Sequence, residues 1–171
     1  MQAHIIFLFI VLGIACVTDL RDQRIPNLLT YPAMAMALTF HAMHGGWDGL
    51  LFGLAGWGAG LGLMLLPHFM GVMGAGDVKL MAVVGAVMGP AGALSAFVLT
   101  SLAGGVYALV MLAIHWRVAG RVLIGLLQAV SLMPATGGMQ YQPRAEMPRL
   151  CYGLAIAVGS VAACLLQPGL A

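Results

Sequence analysis

From Leu80 to Trp116 the chain runs for thirty-seven residues without one Asp, Glu, Lys or Arg. A stretch this apolar must be buried in protein or in lipid. It is also too long for a single membrane helix, which needs about 20 residues. Gly89-Pro90 divides it into a short fourth helix and a fifth. Similar apolar runs cover residues 3–18, 28–44, 49–70 and 150–166, and the glycine-rich turn Gly45-Gly46-Trp47-Asp48 separates the second from the third. The pattern predicts an all-α, polytopic bundle of six membrane helices, with residues 1–171 forming one integral-membrane domain. Only 7% of the residues are charged, against about 25% in a soluble domain, so a water-soluble globule is excluded. The seven basic residues are scattered among apolar segments, which excludes a nucleic-acid-binding face.

Residues 117–133 fit the pattern less well. The apolar part, 122–133, is short for a span, and Arg117, Arg121, Gln128 and Ser131 fall on one helical face. That pattern predicts a helix lying in the membrane interface, followed by a polar loop over 134–148. Met1-Gln2-Ala3-His4 carries no Lys or Arg, so the first segment reads as a retained helix rather than a signal peptide. With an outside N-terminus and six spans, Arg21, Arg24, Lys79, Arg117, Arg121, Arg144 and Arg149 all fall on the cytoplasmic side, and of the charged residues only Asp48 faces out. Asp19 and Asp77 then lie at the cytoplasmic face.

The fourth helix, taken over 80–89, would be about 15 Å long in a hydrocarbon layer of about 30 Å. A helix that short predicts that Asp77 is sunk below the surface, reached by the glycine-rich loop 71–76 and surrounded by a water-filled pocket. Gly49, Gly53, Gly56, Gly58, Gly60 and Gly62 crowd the third segment, and the expectation for them is close helix packing, without chemistry.

Two of the chain's five acidic residues, Asp19 and Asp77, are therefore the candidates for chemistry. Two carboxyls that share one proton supply both a base for an attacking water and an acid for a departing amine, because like charges held close cannot both ionise. The alternative is that each pairs with a nearby cation, Asp19 with Arg21 or Arg24 and Asp77 with Lys79. Spacing alone leaves both readings open.

The flanking residues carry a resemblance. Asp19 followed seven residues later by Pro26-Asn27, and then Gly74-Ala75-Gly76-Asp77-Val78-Lys79-Leu80, resemble the two signature segments of the type IV prepilin peptidase family, membrane aspartic peptidases of the Gly-x-Gly-Asp kind. A third piece, Cys151 to Gly159, is similar to the family's last-helix segment, with Cys151 where Pro is usual. The resemblance implies that Asp19 and Asp77 are the catalytic pair. It marks Pro26, Asn27, Gly74, Gly76 and Lys79 as motif residues, with the glycines suited to close approach of a substrate strand. Asp22 is the rival for the first role, but it lies four residues before Pro26 rather than seven. The implied activity is removal of the basic leader from type IV (Flp-like) prepilins or pseudopilins, at the cytoplasmic face of a bacterial inner membrane. Longer members carry a region of paired Cys-x-x-Cys motifs linked to methylation. No such spacing occurs here, so peptidase activity without methylation is expected, similar to the peptidases of tight-adherence pilus systems.

The remaining residues read as structural. Lys79 is expected to snorkel to lipid phosphates, and Arg21 and Arg24 to set topology. Cys16, Cys151 and Cys164 read as free, buried thiols. His41 and His44 share a face without a third ligand, so no metal or cofactor is expected. Two other classes compete with the peptidase. One is an ion- or proton-coupled transporter, which would show inverted repeats that this chain lacks. The other is a non-catalytic subunit of a pilus or secretion assembly.

Overall fold

The structure is a computed structural model and describes residues 2–71, 73–114 and 152–166. The helices within them are α1 (Gln2–Asp22), α2 (Asn27–Phe69), α3 (Ala75–Ile114) and α4 (Tyr152–Leu166). The first three are long and apolar enough to cross a membrane, and α4 is a shorter apolar helix. A helical membrane bundle fits this architecture. The expected interfacial helix at 117–133 and the loop at 134–148 lie outside the described residues. The chain divides into one unit of Met1–Gly104 with Cys151–Ala171, and a second of Gly105–Leu150 in which the last turns of α3 are described. All contacts below lie within the first unit.

Neither α2 nor α3 is straight. Gly46 has φ 59° and ψ −135°, and Gly89 has φ 75° and ψ −179°, conformations that a side chain would strain. Each glycine reverses the chain. A Cβ built on Gly49 would strike the carbonyl of His41, and one on Gly85 would lie 3.3 Å from the Cβ of Ala93. In an unbroken helix, residues eight apart are about 12 Å apart. So α2 is a hairpin of 27–45 and 47–69, and α3 one of 75–88 and 90–114. The breaks fall where Gly45-Gly46 and Gly89-Pro90 predict them, although the first turn is tighter than expected and Trp47 and Asp48 are already helical.

Segment 75–88 is the centre of the unit. Val78, Leu80, Met81, Ala82, Val83, Val84, Ala86, Val87 and Met88 are all buried, as expected of a helix that is apolar all round and surrounded by others. Its neighbour 47–69 comes up against it backbone to backbone. A Cβ on Gly56 would strike the carbonyl of Gly85, and one on Gly60 the carbonyl of Met81. Gly58 and Gly62 face open space, so the expected packing role holds for Gly49, Gly53, Gly56 and Gly60 and not for those two. Buried residues on α1, Leu8, Val11, Leu12 and Ala15, recur at helical spacing and form one stripe. Helix α1 packs along α4 and also touches α2.

Helix ends differ from expectation in two places. Helix α1 runs past Thr18 to Asp22, carried by Leu20 and by Arg21 in the last turn, where a cation suits the helix dipole. It stops at Gln23, whose φ is 51° and whose N–H donates to the Asp19 carbonyl at 3.0 Å. Helix α3 starts at Ala75 rather than Leu80, so residues 75–76 are helix and not loop.

The glycine contacts yield a stability test. Gly56→Ala and Gly85→Ala should each destabilise the solubilised protein by about 1–3 kcal/mol or more through overpacking, read as a lower Tm in detergent. Gly58→Ala, with nothing within 4 Å of the added Cβ, should leave Tm unchanged or raise it by the roughly 0.5–1 kcal/mol that Ala gains over Gly in a helix.

Candidate active site

The buried stripe of α1 ends in a carboxylate. Asp19 lies one turn after Ala15 on the same face and is 7% exposed. Asp22, beyond it, is exposed. Burial therefore separates the two candidates that spacing from Pro26 also separates.

Asp77 occupies the third position of α3. The Gly74 N–H donates to its Oδ2 at 3.2 Å, and the Asp77 N–H donates back to the Gly74 carbonyl at 3.2 Å. This reciprocal pair resembles a capping box with glycine in the first position, and it is the physical reason that the helix begins before Leu80. Asp77 is half-buried. Its carboxyl lies within electrostatic reach of Asp19, so the fold gathers two groups 58 residues apart in the chain.

The segment between α1 and α2 supports this meeting. Ile25 is buried, and a Cβ on Gly76 would lie 3.1 Å from the Ile25 Cβ and 3.4 Å from its backbone N. Gly76 thus lets the first turn of α3 settle onto the chain leaving α1. Pro26 caps α2, and its carbonyl accepts the N–H of Leu29 at 3.1 Å. Asn27 opens the helix, and Lys79 Nζ donates to its Oδ1 at 2.7 Å while lying 5.0 Å from the Tyr31 ring centroid. Lys79 is therefore turned toward the start of α2, where snorkelling was expected. An ammonium with a side-chain acceptor and an aromatic face nearby has partners inside the protein. Positions 77 and 79 also point to different sides of a helix.

Helix α4 contributes groups that the sequence did not single out. The Gly153 N–H donates to Asp19 Oδ2 at 3.0 Å in a buried bond. The Cys16 thiol, three residues before Asp19, donates to the Gly153 carbonyl at 3.7 Å. The Tyr152 hydroxyl abuts Gly104 and lies within electrostatic reach of Asp77. No spacing rule links residues 19 and 153, so only the resemblance of the last-helix segment hinted at them.

Away from this site, His41 Nε2 contacts the Val87 carbonyl at 3.1 Å, and His44 stacks on Phe40 at 4.1 Å. Among the described residues, no group of three or more His, Cys, Asp or Glu is placed to hold a metal ion. Cys16 and Cys164 are free thiols, while Cys151 lies outside the described residues.

The described residues thus form an apolar helical bundle with one carboxylate near the end of α1 and another in the first turn of α3. The family model of the type IV leader peptidases matches residues 6–109. The chain belongs to that family, and membership makes it a leader peptidase-like protease. No curated protein and no solved structure matches the chain.

The Asn27–Lys79 contact ties the start of α2 directly to the first turns of α3. In a double-mutant cycle, Asn27→Ala and Lys79→Met should be non-additive by at least about 0.5 kcal/mol, measured as unfolding free energy in mild denaturant. Additive losses would mean that the contact contributes nothing.

Proposed function

We propose that the protein is a membrane aspartic endopeptidase that removes the leader from type IV, Flp-like prepilins or pseudopilins. Asp19 and Asp77 are its catalytic pair, in a single membrane domain over residues 1–171. The convergence of these two carboxyls, within a chain of the leader peptidase family, carries the reading. One carboxylate takes a proton from water as the water attacks the scissile carbonyl. The other, protonated, polarises that carbonyl, and the roles exchange when the amine departs. Pro26 and Gly74 set the helix starts on either side, and Gly76, Asn27 and Lys79 hold those starts together. The lipid bilayer and the substrate's apolar N-terminal helix are the partners. The product keeps that helix in the membrane.

Six crossings with an outside N-terminus place the pair at the cytoplasmic face of a bacterial inner membrane. This arrangement also gathers the basic residues on one side. In a background without native cysteines, Asp48→Cys should react with a membrane-impermeant thiol reagent in intact cells, and Arg21→Cys only after permeabilisation. The reverse labelling would invert the topology.

Co-expression with a candidate Flp-type prepilin tests the chemistry on a gel. Asp19→Asn and Asp77→Asn should each slow precursor shortening at least about a hundredfold, the usual contribution of a general acid or base. Asp22→Asn should cleave like wild type. Cleavage by all the variants would discard the pair. A transporter or assembly subunit would leave the precursor uncut in every case.

A further inference from the structure

We propose that Gly153 is a positioning residue for the catalytic pair: its backbone N–H, in the first turn of α4, fixes the Asp19 carboxylate, and its missing side chain is what lets that carboxylate reach it. The proposal rests on the reading of Asp19 and Asp77 as catalytic.

Three observations carry it. The bond from the Gly153 N–H to Asp19 Oδ2 is 3.0 Å long and buried, and it joins residues 134 apart. A Cβ on Gly153 would stand 2.8 Å from that same Oδ2, 3.2 Å from Cγ and 3.3 Å from the Asp19 Cβ. The three nearest atoms to the absent side chain thus all belong to the aspartate itself. On the other side of the same residue, the Cys16 thiol donates to the Gly153 carbonyl at 3.7 Å. Gly153 is consequently gripped by two side chains of α1, and the peptide groups on both its sides are oriented by that helix.

The location gives the bond its consequence. Gly153 follows Tyr152, where the described part of α4 begins, and its N–H is turned to a side chain of α1. An N–H of this kind beside a buried carboxylate satisfies both groups at once. It also leaves one Asp19 oxygen held by the backbone of α4, a helix whose described residues carry no acid, with Asp77 within electrostatic reach of the same carboxylate. A hydrogen bond to a carboxylate is among the stronger kinds in proteins, and aim within a few tenths of an ångström decides how well an acid–base pair works.

Two measurements test the proposal together. The first compares kcat and KM for prepilin cleavage by wild type and by Gly153→Ala. The expected result is a kcat lower by roughly ten- to a hundredfold, the value of a charge-assisted hydrogen bond, with KM unchanged and the helical circular dichroism of wild type. A kcat equal to wild type would overturn the proposal. The second measurement needs neither substrate nor that variant. Tyr152-Gly153 is the one Tyr-Gly pair in the chain, so labelling Tyr at the carbonyl carbon and Gly at nitrogen leaves a single amide signal in a carbonyl-filtered NMR spectrum. That proton should resonate downfield in the detergent-solubilised protein and move upfield in Asp19→Ala. An unmoved signal would overturn the proposal even if Gly153→Ala is inactive, since the variant would then have failed for packing reasons alone. Cleavage by Asp19→Ala at the wild-type rate would instead sink the catalytic reading of the pair. That failure is distinguishable, because the amide signal reports the contact without any turnover.

Discussion

Contact between bare backbones, Gly56 against Gly85 and Gly60 against Met81, is the interaction on which the rest of this architecture depends. In lipid no hydrophobic force presses helices together, since the surrounding tails are as apolar as the side chains. Association rests on close van der Waals packing. Glycines on 47–69 let segment 75–88 approach until carbonyls meet Cα atoms. That approach covers one face of the short segment, whose first turn begins at Ala75. Asp77 sits in that turn.

The two chain reversals have the same origin. Gly46 and Gly89 adopt φ values of 59° and 75°, and around them the helices double back without a loop. A reversal this tight keeps each hairpin's halves adjacent. The phenyl ring of Phe52 fills the space a side chain on Gly89 would need, so the second break is also locked from outside. Glycine thus serves two distinct ends in one chain: turning at 46 and 89, and close approach at 49, 53, 56, 60 and 85.

Much of this was legible in the sequence, and the reasons are specific. The apolar runs and their interruptions at Gly45-Gly46 and Gly89-Pro90 mark the helical segments because a bilayer requires long apolar helices and glycine or proline breaks them. The family was legible because its fixed residues are close in sequence: Asp19 to Asn27, and Gly74 to Leu80. Helix starts were harder to place. Ala75 and Gly76 look like loop by composition, yet Asp77 bonds back to Gly74 and draws them into α3. Lys79 looked like a lipid anchor because its partner Asn27 is 52 residues away. Contacts of that range leave no local pattern in sequence.

The same reasoning explains why the segments around Asp19 and Asp77 need residues beside the two acids. A carboxylate pair needs the ends of α1 and α3 brought together and held against their mutual repulsion. Ile25 seated on Gly76 brings the two ends together, and the Lys79–Asn27 bond closes the start of α2 over the start of α3. The bond from the Gly153 N–H then steadies Asp19 from a third helix. Asp19 is inward because it continues the stripe of Leu8, Val11, Leu12 and Ala15, and Asp77 is placed by its own helix cap. Each acid is positioned by ordinary helix physics on its own element. The residues around them, Ile25, Gly76, Asn27, Lys79 and Gly153, act between elements.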